Sequence, residues 1–385
     1  MTIETGVLAG ISKDDRDSFV ETEALAATSS VKILETIIQN RKVPDAAYYI
    51  GRGKVSDLKL RCEELKTNII VFNNNLKPNQ QRNLEDITGK KIIDRCTLIL
   101  DIFAKHARTT EGKLQVELAQ LIYFLPRLSG HGVGLAQFSG GIGARRGPGE
   151  KKLELDKRSI RNRIDFLKDK LEVVRKHRKV LRESRKSKGF LNAALVGYTN
   201  SGKSTLLNKM TGADVIVENK LFSTLDPTTR KVFMKGGQNL LLTDTVGFIR
   251  NLPAELITSF RATLEEIEFA DIIVMVLDAG RLDIDIQVDA VYRELKALDV
   301  LNKPVVGNLG IRAIGNAGFD ADGLRHQHRV TAARRRVGGH DIDIAPGGRR
   351  PGPRTRCAAH RSAARPGALQ GAALEQLAQL GANLR

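Results

Sequence analysis

The sequence predicts an α/β protein in three folded parts. These are a small N-terminal α/β domain, a long antiparallel helical hairpin arm, and a second α/β domain built around a phosphate-binding loop; a disordered tail follows. Three observations predict it. Strand-like and helix-like apolar patterns alternate over residues 1–96 and again from 189. Between them, apolar residues recur every seven positions along an otherwise charged stretch. At 197–204 the chain reads Gly-x-x-x-x-Gly-Lys-Ser, directly after one apolar run and directly before a helical one.

In the first part, residues 31–38, 68–72 and 91–93 carry the short apolar runs of strands, and 57–65 and 80–87 the spacing of helices. Gly51-Arg52-Gly53-Lys54 has the residues of an anion loop without its spacing, and reads as a turn before a helix. The second part, 97–188, opens with a pattern that reads as one helix over 97–125. Leu114, Leu118, Leu121 and Leu125 line one face, and Pro126 ends it. A stretch with eight Gly in the 22 residues 129–150 follows. Next, Leu153, Ile160, Leu167, Val174 and Leu181 form a heptad seam, with Ile164 and Leu171 between them. Two such helices joined by a loop pack antiparallel. Residues 151–188 hold sixteen Lys and Arg against six acids, an excess that suits phosphate neutralisation better than a merely solvated face. Arg145, Arg146, Arg175 and Lys176 are the candidate RNA contacts, with His131 and Phe138 at the Gly-rich tip able to stack on bases.

The third part carries the chemistry. In Gly197-Tyr198-Thr199-Asn200-Ser201-Gly202-Lys203-Ser204, glycines let the backbone wrap a phosphate chain, and the N–H groups of the loop and of the helix opening at Thr205 face the anion. Lys203 reaches the β- and γ-phosphates and Ser204 is placed to ligate Mg²⁺. Asp244-Thr245-Val246-Gly247 follows the apolar run 240–242; its Asp can hold the metal's water shell and its Gly N–H can meet a γ-phosphate. Between the two motifs, Phe222-Ser223-Thr224-Leu225-Asp226 lies in a loop whose threonine can ligate Mg²⁺ only while the γ-phosphate is present, which makes a switch. These residues, Gly197–Thr205, Phe222–Asp226 and Asp244–Gly247, form the candidate nucleotide site.

Taken with Gly112–Leu121, Leu125–Leu128 and Gly140–Glu150, these motifs make the chain resemble the HflX-type ribosome-associated GTPases over roughly residues 1–306. The resemblance implies a Ras-like P-loop G domain that binds GTP and GDP, with Ser204 and Thr224 as Mg²⁺ ligands; Thr228 is the alternative to Thr224. It implies that the arm enters the large ribosomal subunit and contacts its rRNA, and that the protein promotes subunit dissociation or rescue under stress as a cytoplasmic monomer. Phe248 stands where many GTPases carry a water-orienting Gln, which implies slow turnover by the isolated protein. Asn200 is a candidate for holding K⁺ against the phosphates, or else merely shapes the loop.

The resemblance ends near residue 306. A G domain next carries Asn-Lys-x-Asp, whose Asp selects guanine over adenine by hydrogen bonding. Here Asn302-Lys303 precedes the strand, and Gly307-Asn308-Leu309-Gly310 stands where the motif belongs. Residues 307–385 contain thirteen Arg, no Lys and one aromatic, Phe319. They read as an out-of-frame translation, or else as a disordered basic tail. The G domain is therefore incomplete. Two other readings follow: an rRNA-binding module without productive turnover, or a P-loop NTPase that does not select its base.

The net charge is +18; the tail supplies +8 through thirteen Arg and five acids, leaving +10 for residues 1–306 and pointing to a nucleic-acid partner. Three cysteines without metal-like spacing, no apolar signal core and no run of eighteen apolar residues lead to the expectation of a cytosolic protein with no membrane span.

Overall fold

The computed structural model describes residues 3–12, 16–128, 149–212, 221–233, 239–250, 256, 264–278, 280–281 and 283–310. Arg145, Arg146, His131 and Phe138 lie outside them, as do residues 311–385.

The N-terminal part is β1 (Glu4–Ile11), α1 (Arg16–Thr28), β2 (Val31–Gln39), α2 (Arg52–Glu64), β3 (Ile69–Phe72), α3 (Pro78–Thr88) and β4 (Lys91–Ile93). Its four strands are parallel in the order β2-β1-β3-β4. β1 and β3 are central, so Val7–Ile11 and Ile69–Phe72 are buried on both faces and read as unbroken apolar runs. Edge strand β2 alternates instead. Gly51 is the N-cap of α2, the turn expected before a helix. β1 and α1 have no counterpart in the sequence reading.

The single helix expected over 97–125 is two. α4 (Arg95–His106) stops at Ala107, which is extended, and α5 (Thr110–Phe124) starts afresh from Thr109, whose side chain accepts the Gly112 N–H. A threonine in N-cap geometry satisfies a backbone donor that an unbroken helix would not leave free. A short 3₁₀ turn, Leu125–Arg127, follows.

α6 (Gly149–Ser187) lies antiparallel to α5: Arg163 pairs with Glu117, and Arg178, further along α6, pairs with Glu111, nearer the start of α5. The seam is buried only where α5 faces it. Leu167 is fully buried and Ile160 and Ile164 nearly so, against Leu118, Leu114 and Leu121, while Leu181 is 44% exposed. α5 has 15 residues against 39 in α6, so α5 does not reach the outer heptads. The last turns of α6 meet the second sheet's domain instead: Arg182 pairs with Glu265 and Glu266, and its guanidinium lies 4.2 Å from the Phe269 ring centroid.

That domain has β5 (Leu191–Val196), α7 (Lys203–Thr211), β6 (Thr228–Phe233), β7 (Asn239–Asp244), β8 (Ile272–Leu277), α8 (Ile284–Ala297) and β9 (Val305–Gly310). The sheet order is β6-β7-β5-β8-β9, with β6 antiparallel. β9 corrects the expected tail boundary, for the strand runs on through residues 307–310 and pairs Leu309 and Gly310 with β8 after a register shift. Ladder hydrogen bonds use the backbone, so altered side chains do not by themselves stop a strand.

Candidate nucleotide site

The loop leaving β5 and the loop leaving β7 are stitched together. Thr199 N–H donates to Phe248 O at 2.7 Å and Phe248 N–H to Gly197 O at 3.0 Å. Gly247 permits this approach: a Cβ there would stand 2.6 Å from Thr199 Cα and 3.0 Å from Lys203 Nζ. The result is a cleft lined by Thr199, Asn200, Ser201, Gly202, Lys203, Ser204, Thr205, Phe222, Ser223, Thr224 and Gly247.

Lys203 opens α7 and is buried at the cleft floor. Its ammonium donates to Tyr198 O at 2.8 Å and Gly197 O at 3.3 Å, carbonyls of its own loop. Burial pushes its pKa down to about 8, against the opposing pull of Asp244. Ser201 Oγ is buried without a hydrogen-bond partner among the described residues. Asn200 is exposed with φ of 60°, a left-handed conformation that asparagine tolerates better than most residues.

Ser204, Thr224 and Asp244 converge from three elements. The Ser204 hydroxyl donates to Asp244 Oδ2 at 2.6 Å, and its oxygen lies 2.8 Å from the Thr224 hydroxyl. Asp244 is wholly buried, and its Oδ1 has no hydrogen-bond partner among the described residues. Burial raises its carboxyl pKa, while Lys203 and the Ser204 hydroxyl hold it down. Two hydroxyls and a carboxylate with a spare oxygen are hard donors of the kind Mg²⁺ takes, so the residues fit that ion. Thr228 is the first residue of β6, paired with Asp244 across the ladder, and does not line the cleft.

Several predicted site residues face elsewhere. Leu225 and Val246 are buried in the apolar core. The Thr245 hydroxyl donates to Leu195 O of β5 at 2.6 Å and is buried. Tyr198 is buried, and its hydroxyl bonds Glu21 of α1 and accepts the Arg250 N–H at 3.0 Å. Burial raises its pKa, and Glu21 adds to the rise. Asp226 turns to the start of α5, where it accepts the Arg108 and Thr109 N–H groups. On the arm, Lys176 is exposed, whereas Arg175 Nε donates to the buried Glu265 at 2.8 Å, so Arg175 joins the arm to the second domain.

Sequence reasoning missed the residues joining the N-terminal part to this cleft. Arg95 is buried; it pairs with Glu21, donates to Thr22 Oγ1 at 2.7 Å and reaches Arg250 O at 3.2 Å. The sequence places Thr199 in the nucleotide site but does not show its second contact: its hydroxyl oxygen accepts the Phe222 N–H at 2.7 Å and so brackets the switch loop. No local pattern marks either.

Three family descriptions match in chain order: GTP-binding GTPase N-terminal over residues 16–104, GTP-binding GTPase Middle Region over 106–185, and 50S ribosome-binding GTPase over 192–307. A GTPase HflX from Caldanaerobacter subterraneus subsp. tengcongensis is 48% identical over 303 residues, covering 78% of this chain and 71% of the relative. The chain belongs to the HflX family of GTPases. The GTPase HflX of Escherichia coli is 42% identical over 292 residues, covering 76% of this chain and 68% of that relative. A GTP-binding protein from Sulfolobus solfataricus, solved with GDP, is 24% identical and covers 78% of this chain and 80% of its own, with a TM-score of 0.41. The 50S ribosome-binding GTPase match ends at residue 307, where the sequence departs from the expected guanine motif. Among the described residues of this HflX chain, no helix is long and apolar enough to cross a membrane.

Proposed function

We propose that this chain is a GTP-binding and GTP-hydrolysing factor that associates with the large ribosomal subunit and promotes subunit dissociation or rescue under stress, acting in the cytoplasm as a monomer. The observation that carries the nucleotide reading is the convergence of Lys203, Ser204 and Thr224 on one cleft, with Asp244 bonded behind Ser204.

Lys203 exchanges its two loop carbonyls for phosphate oxygens, and the loop N–H groups cradle the same anion. Ser204 and Thr224 supply hydroxyl oxygens to Mg²⁺, with Asp244 behind Ser204. When bound, the ion neutralises charge on the β- and γ-phosphates. Phe248 is buried and apolar, so it cannot orient a water, and turnover is slow without help. Asn200, at the cleft mouth, is the residue placed to hold K⁺ there; turnover then rises when K⁺ replaces Na⁺, and equal rates in both salts reject that role.

The arm and the charge of α6 support a ribosomal RNA partner. Co-sedimentation with large subunits tests this: binding should be stronger with a non-hydrolysable GTP analogue than with GDP and should fall steeply with salt. Nucleotide-independent, salt-insensitive sedimentation would remove the reading. A second reading is favoured by one observation, the absence of Asn-Lys-x-Asp after Val306. On that reading the phosphate site works without base selection, and GTP and ATP bind with similar affinity.

A further inference from the structure

Both flanks of Thr224 are held by the helices that lead into the arm. On one side, Phe222 is 2% exposed with φ of 56°, and its ring meets Phe103 of α4 edge-on, centroids 4.7 Å apart. On the other side, the Asp226 carboxylate accepts the N–H groups of Arg108 and Thr109, each at 2.9 Å, and the Thr109 hydroxyl at 2.5 Å. Thr109 is the N-cap of α5, so Asp226 sits at the positive end of that helix and satisfies donors just outside it.

The seat for this carboxylate is left by a glycine. A Cβ on Gly112 would lie 2.3 Å from Asp226 Oδ1. Glycine within a helix is a poor choice for the helix itself. At this position it supplies the space that a switch-loop side chain occupies.

Building on the nucleotide-binding reading above, we propose that Asp226 is a positioning residue. By docking on the N-terminus of α5 it holds Thr224 against Ser204, so the closed switch loop and the docked helix are one conformational state. Thr224 is the group that senses the γ-phosphate and α5 is half of the arm. A ligand that favours one therefore favours the other, and the coupling is reciprocal. Phe222 alone does not supply this link, because its apolar contact reports only loop position, whereas Asp226 engages backbone donors that exist only where α5 begins.

The test uses the full chain and two variants that break the clasp from opposite sides. Asp226→Ala removes the carboxylate. Gly112→Ala evicts it while making α5 the better helix. A fluorescent non-hydrolysable GTP analogue and GDP are titrated with Mg²⁺ present, and amide exchange at Arg108 and Thr109 is followed with the analogue bound. Hydrogen bonds to a charged group are among the stronger ones, so both variants should lower the analogue-to-GDP affinity ratio about tenfold and should unprotect those two amides. Gly112→Ala should do so with no loss of thermal stability, a separation that a merely structural role does not produce. If the amides open in both variants while the affinity ratio stays at the parent's value, the positioning role is overturned and the nucleotide site stands. If the parent itself binds neither nucleotide, both readings are overturned together.

Discussion

Raising the pH should weaken triphosphate binding through a single buried amine. Lys203 has its pKa pushed down to about 8 because it is buried, with Asp244 only partly offsetting that. A polyphosphate beside the ammonium favours the charged form and returns the pKa to the ordinary lysine range, about 10.4. Binding then takes up a proton whenever the pH lies between those two values. One pKa unit is worth about 1.36 kcal/mol, so the linkage amounts to about 3 kcal/mol across the window. Affinity should be nearly flat below pH 8 and about tenfold weaker at pH 9 than at pH 7, with close to one proton taken up per nucleotide at pH 9. Phosphate protonation does not interfere, since its second pKa is about 6. Calorimetry in two buffers of different ionisation enthalpy reads both quantities. Constant affinity from pH 7 to 9.5, or no proton uptake at pH 9, refutes the buried, depressed lysine. The nucleotide-free fold responds in the opposite sense. The unfolded chain binds more protons at this lysine between about pH 8 and 10.4, so the Lys203 contribution to stability rises with pH across that window.

Leu167→Ala, in the fully buried middle of the arm seam, should cost about 2.7–5 kcal/mol by denaturant unfolding, and Leu181→Ala, 44% exposed, about 0.5 kcal/mol or less; equal costs would contradict the short α5–α6 contact. Lys176→Glu should weaken ribosome co-sedimentation and lower its salt slope by about one unit or more without touching fold stability. Arg175→Glu should instead destabilise the junction between α6 and the second domain, because it faces buried Glu265 with a like charge, and thermal unfolding of the two variants separates the roles. GTP and ATP affinities should lie within a few-fold of each other, since phosphate contacts are common to both; a strong GTP preference would show that guanine is recognised without Asn-Lys-x-Asp.

What the sequence made legible was what is local. Residues 197–204 and 244–247 carry a backbone geometry in consecutive letters, and the structure brings most of the first run and Gly247 to one cleft. The α/β class and the hairpin followed from apolar periodicity, which is again a short-range property. The break at Ala107–Thr109 was less legible, because the stop signal is one threonine in N-cap position. The length of the buried seam was hidden as well: Leu153 to Leu181 keep their heptad, but only α5 decides which of them are covered. β1 was missed because its run, Gly6 to Ile11, is interrupted by small residues and becomes a strand through pairing on both sides. The bonds of Asp226 to α5 and of Tyr198 to Glu21 join residues 117 and 177 positions apart, and no pattern in the intervening text encodes them.

The measurement that bears most directly on the phosphate site is an equilibrium titration of the full chain and its Lys203→Ala variant with GTP in the presence of Mg²⁺, beside circular dichroism of both. The account predicts binding by the parent, loss of at least a hundredfold in affinity in the variant, and unchanged helix content, because Lys203 bonds only to its own loop's carbonyls and the arm is folded by other contacts. Equal GTP affinity in parent and variant would contradict it.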